Sequence, residues 1–184
     1  RIGTGHLMRC LTLGDALRAG GARTRFVCRP LAGGLGELVT GRGHELVCLP
    51  PGGGLASVGT TGAIGSGNDE GGAAIDAGLR HAAWLGATQS EDAEATLAAL
   101  AGDGDWDWIV VDHYALDARW EGRLRSCARR ILAIDDLADR RHDCDALLDQ
   151  NFYADGPARY EGLVPGHCLR LLGPRHALLR PEFG

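Results

Sequence analysis

Three short clusters in this 184-residue chain hold residues able to do acid–base or anion chemistry. The first is Gly3-Thr4-Gly5-His6, with Arg9 one helical turn further on. The second is Asp112-His113-Tyr114, and the third gathers Asp135, Asp136 and Asn151. A Gly-x-Gly turn lets backbone N–H groups approach an anion closely, and a helix starting there presents the positive end of its dipole. That positive end also disfavours imidazolium, so His6 is expected to be neutral near pH 7 and able to accept a proton. Arg9 is placed to back a phosphate, or is a solvated surface arginine.

Each residue also has a purely structural reading. His6 is then a plain helix-start residue, Asp112 and Asp135 cap helices or bind turn amides, His113 packs beneath a loop, and Tyr114 is half-buried with its hydroxyl in water. Their shared placement favours function. Near-continuous apolar runs at 23–29, 44–50, 107–113, 129–135, 146–151 and 168–173 read as short strands buried on both faces. Helical patterns separate them. One follows His6, with Leu7, Cys10, Leu11 and Leu17 on its apolar stripe. A second begins at the serine of SEDAEATLAALAG, and a third is capped by Asp117, with Trp120, Leu124 and Cys127 facing inward. Such alternation predicts an α/β, Rossmann-like, doubly wound and mostly parallel sheet, with its first strand upstream of Arg1. Ligands of such sheets bind beyond the carboxyl ends of the strands, where all three clusters fall. The glycine-rich stretch 50–78 breaks the rhythm and reads as a surface loop, an insertion beside the cleft or a plain linker.

Composition narrows the chemistry. A formal charge of −5 argues against general nucleic-acid binding. No apolar run reaches the roughly 20 residues of a membrane span. Every basic residue other than histidine is an arginine, so neither a phosphate-loop lysine nor a Schiff-base lysine is present. Cys10, Cys28, Cys48, Cys127, Cys144 and Cys168 are scattered, several inside apolar runs, which fits small core residues in a reducing, cytoplasmic compartment. The run Arg140 to Asp145 offers histidine, cysteine and acids. Alternate side chains of an extended strand face opposite ways, so no metal site is expected there.

Five segments carry a family resemblance: GTGHLMRCLTL (3–13), HAAWLGATQSEDAEAT (81–96), VVDHYALDARWE (110–121), IDDLADRRHDCDALLDQN (134–151) and GLVPGHCLRLLGPRHALLRPEF (162–183). Together they resemble the amino-terminal domain of the PseG family, UDP-2,4-diacetamido-2,4,6-trideoxy-β-L-altropyranose hydrolases of pseudaminic acid biosynthesis. The resemblance implies one domain of a two-domain GT-B fold of the MurG kind, without metal or cofactor. It also implies hydrolysis of a UDP-sugar at its anomeric carbon. The family's GxGH histidine, its general base, falls on His6, and the tyrosine of its DHY motif falls on Tyr114. By position, Asp112 or His113 would orient Tyr114, while Asp135, Asp136 and Asn151 would meet the acetamido and hydroxyl groups. Family members continue into a carboxyl-terminal, UDP-binding domain, whereas this sequence stops at Gly184. Two alternatives share these features: a GT-B glycosyltransferase using a UDP-sugar donor, and a non-catalytic nucleotide-sugar-binding domain.

Overall fold

The computed structural model describes residues 4–30, 33–52, 79–154, 156 and 158–180. Most of the glycine-rich stretch, and Gly3, lie outside the described residues. Helix α1 (Thr4–Ala19) leads into β1 (Arg25–Cys28), α2 (Leu35–Gly41) and β2 (Glu45–Cys48). After a 3₁₀ turn at Ala82–Trp84 come α3 (Gln89–Leu100), β3 (Trp106–Val111), α4 (Ala118–Leu124) and β4 (Ala128–Ile134). Strands β5 (Ala146–Asp149) and β6 (Leu169–Leu172) follow, then a 3₁₀ turn at Pro174–His176. Among the described residues no helix is long and apolar enough to cross a membrane.

All six strands pair in parallel, so the chain has an α/β, Rossmann-like architecture. They form two groups, β1-β2 and β3-β4-β5-β6. Periodicity pointed to each strand but carried no information about which edges pair. Among the described residues no ladder joins the two groups.

The main core forms where α3 and α4 cover the four-stranded sheet. Ala93 and Leu100 of α3, and Trp120 and Leu124 of α4, meet Val111, Ile131, Ala133 and Leu147, with Tyr160 closing the layer. All four residues of β5 are buried, as expected of a strand covered on both faces. The cap of α3 is Thr88 rather than the expected Ser90. Its hydroxyl accepts from the Glu91 N–H, and the Glu91 carboxylate accepts from the Thr88 N–H, a reciprocal box that fixes the helix start two residues earlier. Asp117 caps α4 as expected, accepting from the Arg119 N–H at 2.9 Å.

Helix α1 packs on β1-β2 through Leu11 and Gly14. A Cβ at Gly14 would sit 3.2 Å from the His44 ring and 3.3 Å from Phe26, so glycine permits this close approach. Leu17, expected on the same stripe, is 43% exposed. At about 100° per residue it lies roughly a third of a turn away from Leu11.

Candidate functional site

Helix α1 starts at Thr4, so His6 stands in its first turn and Arg9 lies one turn further along the same side. Thr4 and Gly5 are thus helical rather than part of a preceding turn, and both are exposed. No acidic side chain occupies that first turn, and a Cβ at Gly5 would meet nothing within 4 Å. The positive end of the α1 dipole lies at this turn.

Asp112 leaves β3 at its carboxyl end, directly against this first turn. His6 Nδ1 lies 2.6 Å from Asp112 Oδ1, with the two side chains 13% and 4% exposed. An ionised carboxylate only accepts, so Nδ1 donates to Asp112, and in the neutral ring that leaves Nε2 as the acceptor. Arg9 donates from Nε to Asp112 Oδ2 at 2.6 Å and from Nη2 to Oδ1, and the Cys10 thiol reaches Oδ2 at 3.4 Å. Burial alone would raise the Asp112 carboxyl, but the hydrogen bonds from Arg9 and His6 outweigh it and hold the group below its ordinary range. Burial, with Asp112 beside it, pushes the Cys10 thiol well up, so Cys10 serves as a protonated donor and not as a nucleophile.

Arg9 thus spends its fork on a carboxylate, with Asp136 Oδ2 a further 3.8 Å from Nη1. With 12% of its side chain exposed, it is not a solvated surface arginine. A hollow of about 220 Å³ does open beside Gly5, Met8 and Arg9, with Leu178 and Leu179 on its far side.

Tyr114 stands edge-on to the His6 ring, centroids 4.7 Å apart at 80°. Burial, and then the hydrogen bond to Asp136, raise its hydroxyl far above the ordinary range, so it is a neutral phenol. Its orienting partner is therefore Asp136. Asp112 instead orients His6, and His113 Nδ1 accepts the Ala115 N–H at 2.9 Å. Burial is the main cause that lowers His113 to about 4.

The two acids after β4 separate in role. Asp136 remains partly exposed, takes the Asn151 side-chain amide at 3.4 Å, and has a buried Oδ1 without a partner among the described residues. Asp135 lies below the cleft with no exposed surface. Its carboxylate binds Arg140 at 2.7 Å, the Ala138 N–H and the Tyr160 hydroxyl, which also lies 2.9 Å from Asp149. Asp135 was expected to meet a substrate's acetamido or hydroxyl group; in this structure it has no exposed surface and its carboxylate is engaged by neighbouring groups. Gly3 lies outside the described residues.

In the run from Arg140 to Asp145, His142 faces Glu121, Asp143 faces Arg125, and Cys144 lies 3.6 Å from Cys168. These side chains point to separate neighbours, and no group of three potential ligands is arranged for a metal among the described residues. Sequence reasoning missed Cys10, which reads as an ordinary apolar helix position. It assigned no role to His81 and Trp84 beside Tyr114, although both lie in the segment 81–96 that carries part of the resemblance.

No family model matches the chain. One stretch has a curated relative. Over 79 residues the chain is 37% identical to the UDP-2,4-diacetamido-2,4,6-trideoxy-β-L-altropyranose hydrolase of Campylobacter jejuni. The match takes in 42% of this chain and 28% of that protein's length, so the chain matches less than a third of the relative.

Proposed function

We propose that this chain forms the base-carrying lobe of a nucleotide-sugar hydrolase. In this reading it acts on UDP-2,4-diacetamido-2,4,6-trideoxy-β-L-altropyranose in the cytoplasm, as a step of pseudaminic acid biosynthesis. The observation that carries the reading is His6, held by Asp112 in the first turn of α1. Asp112 fixes the tautomer that leaves Nε2 as the base, and its charge stabilises the imidazolium formed when a proton arrives. The partial match to the Campylobacter hydrolase supports the choice of substrate.

The step is a displacement by water. His6 Nε2 takes a proton from water as its oxygen bonds to the anomeric carbon. The bond from that carbon to the phosphate oxygen breaks, UDP leaves as an anion, and the configuration inverts. The positive end of α1, at Thr4 and Gly5, offsets the charge gathering on the leaving diphosphate; Gly3, expected as a further donor, falls outside the described residues. Tyr114, aligned by Asp136, holds the water or the sugar. Asp136 Oδ1 and Asn151 are acceptor and donor for the sugar's amide and hydroxyl groups. Arg9 and Cys10 act through Asp112, by keeping it ionised and in place. Remaining UDP contacts belong, in this reading, to a second domain of the same protein.

The test is UDP release by the full chain, its His6→Ala variant and its Asp112→Asn variant. Removing the base should lower kcat by about 10²–10⁴-fold, with a smaller change in KM. Asp112→Asn should lose most of that factor while leaving the fold intact. Near-normal turnover by His6→Ala would remove His6 from the mechanism. Release that requires an added acceptor would make the protein a transferase.

A further inference from the structure

Resting on the hydrolase reading above, we infer that His81 and Trp84 form an aromatic wall that selects the sugar by its methyl groups. The rings are contiguous with the candidate base. His6 stands 4.7 Å from Tyr114, Tyr114 is 5.5 Å from His81 and 6.2 Å from Trp84, and His81 lies 4.5 Å from Trp84. None of the four rings is parallel to its neighbour, with interplanar angles of 80°, 49°, 43° and 47°, so they form a contiguous angled cluster rather than a stack.

Trp84 is 41% exposed, although a tryptophan serving only the core would be covered. Its position is built, not loose. The 3₁₀ turn Ala82–Trp84 is closed by the Leu85 N–H donating to Ala82 O at 3.1 Å. Leu85 and Ala87 on either side of Gly86 are buried, and the Thr88–Glu91 box anchors the following helix. Gly86, at φ 70°, makes the reversal between them. An exposed indole is thereby fixed beside a dyad whose acceptor nitrogen must face the anomeric carbon.

Position identifies the part of the ligand that meets this wall. The uracil is separated from the anomeric carbon by both phosphates and the ribose, whereas Trp84 is two ring contacts from His6. The sugar itself must occupy this place. A 2,4-diacetamido-2,4,6-trideoxy sugar carries a C6 methyl and two acetamido methyls, apolar groups that an indole face receives well. UDP-N-acetylglucosamine presents hydroxyls at C4 and C6, which would face that ring without hydrogen bonds.

The experiment compares kcat and KM of the full chain and its Trp84→Ala, Trp84→Phe and His81→Ala variants on these two UDP-sugars. Trp84→Ala should raise KM for the diacetamido sugar by about tenfold or more, with kcat little changed, and should narrow the preference over UDP-N-acetylglucosamine by a similar factor. Trp84→Phe should restore most of the preference, and His81→Ala should lose part of it. An unchanged preference in both Trp84→Ala and His81→Ala overturns the wall while leaving the hydrolase standing. No UDP release from either sugar by the unsubstituted protein with its second domain overturns the hydrolase reading, and the wall with it.

Discussion

Asp112 is the residue through which the site is organised, because His6, Arg9 and Cys10 all bind its two oxygens. Arg9 supplies the largest attraction holding that carboxyl ionised. Its removal leaves burial opposed only by His6, so the Asp112 pKa rises. Activity that needs ionised Asp112 is then lost at higher pH, and the acid limb of kcat against pH should move upward in Arg9→Met. An unmoved limb would show that Asp112 does not control it. His113 makes a separate prediction about stability. Its folded value of about 4 lies below its ordinary 6.5, so between these values the unfolded chain binds a proton that the folded chain refuses. Stability should fall as pH drops from about 6.5 to about 4, and the slope should be shallower in His113→Gln when midpoints of urea unfolding are compared. At this scale the sequence showed which residues meet but not how they share roles. Asp112 and His113 are adjacent on the chain yet serve His6 and a turn amide, a division set by which way each side chain leaves the end of β3.

At the scale of elements, the strands were the most legible feature, although the burial on both faces expected of their apolar runs is met only in β5, while β2, β3, β4 and β6 each carry exposed positions. Helix starts were less so. Ser90 and Thr88 are both competent caps, and the reciprocal bonds with Glu91 favour Thr88 because Glu91 lies three residues on, the spacing of a capping box. Thr88→Ala should therefore cost about 1 kcal/mol in denaturant unfolding, while Ser90→Ala should cost only a few tenths. Equal losses would place the cap elsewhere. Leu17 shows the weakness of reading an apolar stripe from residue types alone. Gly14, without a side chain, marks the buried face of α1 better than the leucine does.

Across the whole molecule, α1 ties the two strand groups together. Its middle is seated on β1-β2 at Gly14, and its first turn is pinned to the end of β3 by Asp112. Beneath the cleft, Asp135, Arg140, Tyr160 and Asp149 form a buried polar frame that holds the ends of β4 and β5. His6 meets Asp112 and Tyr114, and Asp136 meets Asn151, but sequence alone could not separate these residues from the buried layer beneath them. Asp135 and Asp136 are neighbours of one type, and a single step along the chain puts one inside and the other at the surface. The central claim is that water attacks the anomeric carbon of a UDP-sugar with His6 as its base. It is tested most directly by turnover of the full chain in ¹⁸O water, with mass analysis of both products. The account predicts the label in the free sugar, none in UDP, and almost no labelled product from His6→Ala. Label in UDP would mean attack at phosphorus and contradict it.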